Sequence, residues 1–123
     1  MIDHIGFEVS DLERSSRFYD AVLYPLGARR MVQSERAVAY GVNGPQVWIV
    51  NRLGPPRVPG SGYGHLALRA TGKAAVDAAY ASGLANGGSD DGAPGMRPQY
   101  GRRYYAAYLR DPDGLRVEVV SRR

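Results

Sequence analysis

The segment Asp111-Pro112-Asp113-Gly114-Leu115-Arg116-Val117-Glu118-Val119-Val120 reads as a tight turn feeding a short strand. Proline presets one turn dihedral and glycine accepts positive φ, so Pro112-Asp113-Gly114 is a turn with a mechanism. Side chains alternate along the strand that follows. Val117 and Val119 share one face; Arg116, Glu118 and Val120 share the other. A carboxylate in the middle of such a strand is costly to bury unless something pairs with it. Glu118 therefore calls for a partner elsewhere in the chain.

Outward from this turn, residues 104–110 and 115–121 form a closing hairpin. At the other end of the chain, residues 2–9 also alternate: Ile5, Phe7 and Val9 face one side, and Ile2, His4, Gly6 and Glu8 the other. Ser10 and Glu13 have the spacing of a capping box. Leu12, Ser15, Ser16, Tyr19, Val22, Leu23 and Leu26 then recur at helical spacing. Pro25 and Gly27 end that helix. Three short strands are expected over residues 28–33, 37–42 and 46–51, with Asn43-Gly44 as the hairpin turn between the last two. Residues 53–62 are too rich in Gly and Pro for an element and read as a linker.

The pattern then starts again. Residues 63–70 form a strand with Leu66 and Leu68 on one face and His65, Ala67 and Arg69 on the other. Thr71 is placed to cap a helix from about Lys73 to Leu84. A strand attempt follows near Gly88, and then a long Gly/Pro/Asp loop to about Arg103. A constant offset of 61 residues carries His4 to His65, Ser10 to Thr71, Tyr19 to Tyr80, Leu23 to Leu84 and Gly27 to Gly88. Matches at positions with defined structural roles argue for two copies of one unit. The expected fold is α+β, one domain of two βαβββ modules, residues 1–52 and 63–123. Together they form a curved, cup-shaped mixed sheet with helices on the outer face. Trp48 falls where the second copy has Glu118.

Composition narrows the chemistry. The chain has 123 residues, 44% of them apolar, which suits a single domain with a modest core. There is no cysteine, which excludes disulfides, thiolate ligands and a cysteine nucleophile. Only two histidines exist, so a metal site must be built from His4, His65 and carboxylates. No stretch is long enough to span a membrane, and the N-terminus lacks a signal pattern, so the expected location is cytoplasmic. The net charge of +4 is carried almost wholly by arginine; Lys73 is the one lysine. Such a balance reads either as a solvated surface or as attraction for an anionic small molecule or nucleic acid. No nucleic-acid module pattern accompanies it, so the expected partner is a small-molecule substrate, not nucleic acid or membrane.

His4, His65 and Glu118 each sit on the face opposite their strand's apolar residues. Converging in a cup, they make a 2-His-1-carboxylate site with open positions. It would suit Fe, Mn, Ni, Co or Zn, but not calcium. Taken singly, a strand histidine is more often hydrogen-bonded and a glutamate more often paired with an arginine. Their matched repeat positions favour the metal. Glu8 and Arg69 are also equivalent; they would pair across the cup, or Arg69 would hold a substrate anion. A four-residue turn over 111–114 sets Ala107 opposite Glu118 and brings Tyr105 and Leu109 into the cup. A slip of one residue would substitute Tyr104 and Tyr108. Tyr105, as a proton donor, and Arg69 are the candidate catalytic residues. Trp48 is an aromatic wall or a core filler. Residues 89–103, with Asp90, Asp91, Arg97, Gln99, Tyr100 and Arg102, would close over the mouth or form a solvated loop.

Ile2-Asp3-His4-Ile5, Val9-Ser10-Asp11-Leu12-Glu13-Arg14-Ser15, Phe18-Tyr19, Gly64-His65-Leu66-Ala67 and Asp111-Pro112-Asp113-Gly114 with Glu118 together resemble the vicinal oxygen chelate superfamily. Glyoxalase I, fosfomycin-resistance and bleomycin-resistance proteins and extradiol dioxygenases belong to it. The resemblance covers essentially the whole chain. It implies paired βαβββ modules, a cup-shaped site, often a homodimer, and His4, His65 and Glu118 as metal ligands. Glyoxalase I-like members place a second glutamate where this chain has Trp48, so three protein ligands remain. The implied function is a metalloenzyme in which a divalent ion chelates vicinal oxygens of the substrate: an isomerase, a ring-cleaving dioxygenase or a transferase. The alternatives are a non-catalytic drug-binding protein of the bleomycin-resistance type and a structural or regulatory dimer with a vestigial cup. The cup would close within one subunit or across a dimer.

Overall fold

A computed structural model describes residues 1–55 and 64–123. Most of the expected linker, and the expected strand start at residue 63, lie outside the described residues. The first module runs β1 (Ile5–Val9), α1 (Leu12–Leu23), a 3-10 turn (Tyr24–Leu26), β2 (Arg29–Gln33), β3 (Ala37–Gly41) and β4 (Val47–Asn51). The second runs β5 (His65–Arg69), α2 (Lys73–Ala85), β6 (Ser89–Met96), β7 (Tyr105–Arg110) and β8 (Arg116–Ser121). Each module forms an open four-stranded sheet, in the orders β1-β4-β3-β2 and β5-β8-β7-β6. The first strand of each module lies parallel to the last, and the other pairs are antiparallel.

The repeat holds at the level of single pairs. Gly6 stands beside Trp48 in the first sheet as Ala67 stands beside Glu118 in the second. Helix and sheet join in one core. Phe18, Tyr19 and Val22 of α1, Val76 and Ala79 of α2, Ile49 of β4, Leu109 of β7 and Val117 and Val119 of β8 form a single buried cluster. Full burial of such aliphatic or aromatic side chains contributes about 1.5–3 kcal/mol each. The helices also pack on each other, so the two modules share their interior. No described helix covers the sheet faces turned away from it; on the second of these, Tyr104 packs over a small buried cluster of Ala106, Tyr108 and Val120.

The turn at 111–114 locks the modules together. Asp111 Oδ1 accepts the backbone N–H groups of Asp113 and Leu115 at 2.9 and 2.8 Å, which folds the turn on itself. Its Oδ2 accepts the Tyr19 hydroxyl of α1 at 2.6 Å. Asp113 accepts the Ser10 N–H at 2.9 Å and Arg14 Nη2 at 3.0 Å. Gly114 has φ of +90°, the conformation for which glycine is needed there.

Several local expectations shift. The N-cap of α1 is Asp11, whose side chain accepts the Arg14 N–H; the Ser10 N–H goes to Asp113. Helix α2 starts after Gly72 with no side-chain cap bond, so Thr71 does not cap it. The strand attempt expected near Gly88 is β6, which runs on to Met96 through much of the expected loop and pairs with β7 through two register shifts. Its Gly and Pro residues sit where bulges tolerate them, so only residues 97–104 remain loop.

Candidate functional site

The open face of the second sheet carries His65 and Glu118. Strand β5 supplies the imidazole from the sheet edge, and the adjacent β8 supplies the carboxylate one step inward. Their Nε2 and Oε1 atoms are 3.1 Å apart. The Glu118 side chain is 4% exposed and the His65 side chain 45% exposed, so the pair opens to solvent through the histidine. The other carboxylate oxygen, Oε2, accepts a short hydrogen bond from the Tyr104 hydroxyl. Burial, first, and the Glu118 bond, second, push the Tyr104 phenol up to about 12. Glu118, required by the sequence to find a partner, has two.

The hairpin register corrects the expected lining. Tyr108 stands opposite Glu118, and Ala107 opposite Val119. The turn behaves as the alternative one-residue slip would have it. Tyr105 and Leu109 therefore lie on the helix side: Leu109 is fully buried in the core, and the Tyr105 hydroxyl donates to Asp77 of α2 at 2.6 Å. Neither faces Glu118. Tyr104 and Tyr108 take their places, the first at the carboxylate and the second across from it. Burial raises the Tyr108 phenol as well. The signal for this pair was the slipped register, which strand periodicity alone could not choose.

Tyr100 meets the Tyr104 ring edge-on at 5.5 Å, so the loop after β6 does reach this face. Asp90 and Asp91 belong to β6 instead. Asp90 accepts the Tyr80 hydroxyl at 2.8 Å, and Asp91 lies 3.1 Å from Arg110 and 3.0 Å from Arg116. Glu8 lies 3.7 Å from Arg52 of its own module rather than pairing with Arg69. Arg69 lines a cavity of about 280 Å³ at the junction of the modules, with Leu23, Tyr40 and Val47 among its other walls.

His4 stands on the other module. Its Nδ1 is 2.6 Å from Asp3 Oδ1, and its ring meets Trp48 at 6.5 Å. Among the described residues of one chain, no three His, Asp or Glu side chains are grouped to hold a metal ion. The partial set nonetheless suits one. An imidazole nitrogen and a carboxylate oxygen 3.1 Å apart can share a hydrogen bond. They can equally form one edge of a coordination shell with bonds of about 2.0–2.2 Å. The donors are those that Fe, Mn, Ni, Co or Zn accept.

The profile of the Glyoxalase/Bleomycin resistance protein/Dioxygenase superfamily matches residues 1–119. A glyoxalase/bleomycin resistance protein from Albidiferax ferrireducens T118 is 34% identical and superposes with a TM-score of 0.84, over 98% of this chain and 97% of that one. A fosfomycin resistance protein from Mesorhizobium loti shares the fold at 24% identity and a TM-score of 0.71, over 98% of this chain and 91% of that one. So does a lactoylglutathione lyase from Agrobacterium tumefaciens, at 24% identity and a TM-score of 0.66, over 98% and 92%. No functionally curated protein matches the chain.

Proposed function

Since the chain belongs to the glyoxalase/bleomycin resistance protein/dioxygenase superfamily, we propose that it is a small-molecule metalloenzyme whose site is completed by a second copy. The observation that carries this reading is the His65–Glu118 pair, convergent and open on one side. His65 and Glu118 of one subunit would hold a divalent ion together with His4 of the other. That His4 is not grouped with His65 and Glu118 among the described residues of one chain supports a cup closed across a dimer. When bound, the ion supplies Lewis-acid polarisation of an oxygen on the substrate. Tyr104 fixes the Glu118 carboxylate and holds its own proton well beyond neutral pH. Tyr108 borders the same carboxylate from the neighbouring strand.

Metal analysis with mixed variants tests this. Wild-type protein should take up Ni, Mn, Fe, Co or Zn, and His4→Ala and His65→Ala should each lose it. Unfolded together and refolded as a mixture, the two variants form some dimers that keep one intact site, so part of the metal binding should return. Uptake that never returns on mixing would place the three ligands in one chain or nowhere.

A second reading is sequestration of a small molecule without turnover. The paired rings of Tyr100 and Tyr104 support it, because aromatic walls suit flat apolar ligands. Protein that stays metal-free with every ion offered, yet binds aromatic compounds, would decide for it.

A further inference from the structure

On the open face of the second sheet, cross-strand neighbours align in rows. One row runs Ala67, Glu118, Tyr108, Gly92, and the next Arg69, Val120, Ala106, Gly95. Beyond them the Arg97 N–H donates to the Tyr104 carbonyl at 2.7 Å, which continues the pattern. Apart from Arg69, which lines the cavity at the module junction, four arginines along this face are of two kinds. Arg110 and Arg116 both face Asp91. Arg97 and Arg122 meet no carboxylate among the described residues. Arg97 is instead anchored: its Nη2 donates to the Ala93 carbonyl at 2.8 Å and its guanidinium lies 5.5 Å from the centre of the Tyr108 ring. The Arg122 guanidinium lies 4.8 Å from the centre of the Tyr104 ring.

The glycines of β6 make this placement possible. A Cβ on Gly92 would come within 3.0 Å of Tyr108 Cδ2 and 3.4 Å of Arg97 Nη2, and one on Gly95 within 3.7 Å of Arg97 Nη1. A guanidinium held by backbone and ring, with no counter-charge, keeps donors available for a planar oxyanion. Tyr100, 60% exposed beside Tyr104 and bonded through its N–H to the Arg97 carbonyl at 2.9 Å, offers an apolar surface on the same loop.

We propose that the second module's open face binds a compact organic oxyanion, a carboxylate or phosphonate on an aromatic or apolar body. Arg97 receives the anion, Arg122 adds to the positive field, and the body packs against Tyr100. This proposal rests on the metalloenzyme reading for the identity of the ligand as substrate, but the anion seat itself needs no metal.

The test is calorimetric titration of metal-stripped full-length protein with phenylphosphonate, benzoate and neutral benzamide. At least one of the two anions should bind, more weakly as salt is raised, and benzamide should not. Whichever anion binds tighter identifies the oxyanion class. Arg97→Gln should weaken binding about tenfold or more, the loss expected for a charge-assisted hydrogen bond. Arg36→Gln, between β2 and β3 of the first module, should keep anion binding. Should Arg97→Gln fail to fold, Arg122→Gln decides, with a smaller but measurable weakening expected. No anion binding to the wild type, binding of benzamide as tight as that of benzoate, or unchanged affinity in the deciding variant overturns the proposal. Metal uptake is scored separately: anion binding without metal uptake removes only the metal reading, and metal uptake without anion binding removes only this one.

Discussion

Tyr104 joins the chemistry of the candidate site to its structure. Its hydroxyl holds one Glu118 oxygen while His65 stands at the other. The groups that face it are Glu118 from β8, Tyr108 from β7, Tyr100 from the loop and Arg122 beyond β8. An unfolded tyrosine ionises near 10, and this one near 12. The phenol therefore contributes stability that is fully present below pH 10 and is lost as pH rises from there towards 12. Burial holds the Tyr40 phenol higher still, so ultraviolet titration should show several late-ionising tyrosines, and one fewer of them in Tyr104→Phe. If that variant keeps the same late ionisation, Tyr104 is not held as described. Tyr19 acts at the opposite end of the hairpin. Its hydroxyl donates to Asp111 in the interior, and burial raises that carboxyl above its ordinary range. Tyr19→Phe should cost about 1–3 kcal/mol in chemical denaturation, the penalty for a buried acceptor left short of a donor. The partners of Glu118 could not be read from the chain, because both of its bonds are non-local: His65 is 53 residues away and Tyr104 14.

Elements were legible where their own periodicity sets them. Strand β1, helix α1 and the β3–β4 hairpin alternate or repeat in ways that need no tertiary help. Strand β6 was not, because Ser89-Asp90-Asp91-Gly92-Ala93-Pro94-Gly95-Met96 has loop composition. It becomes a strand by pairing with β7, and its bulges absorb the residues that strands avoid. The hairpin register failed for a related reason. A four-residue turn would pair Arg110 with Leu115; instead Arg110 pairs with Arg116 and Leu115 joins the turn, and the core makes the choice: Leu109 and Val117 pair across the strands on the helix side. The end of α2 is set by close contact. A Cβ on Gly88 would fall on the Phe18 ring and 2.9 Å from the Gly83 carbonyl oxygen. Gly88→Ala should destabilise by about 1–3 kcal/mol, as overpacking does, with thermal or urea unfolding as the measurement. A neutral result would mean that α1 and α2 can move apart.

At the scale of the whole molecule, the internal repeat announced two modules but not how they meet. The matched pairs Gly6–Trp48 and Ala67–Glu118 bear out the repeat. The shared core and the Asp113 contacts to Ser10 and Arg14 are where the halves join, and no periodicity records a contact spanning 103 residues. Urea should therefore unfold the chain in one cooperative transition, followed equally by circular dichroism and intrinsic fluorescence. Two separate transitions would show that the modules stand alone. No described helix is long and apolar enough to cross a membrane.

Trp48 has a further consequence. It is the sole tryptophan of the chain, and it stands beside His4. The indole is thus a built-in optical probe at His4, the ligand proposed to come from the second subunit. Its emission should quench as a paramagnetic ion such as nickel or manganese enters, and should stay constant in His65→Ala, although that substitution is made on the other module.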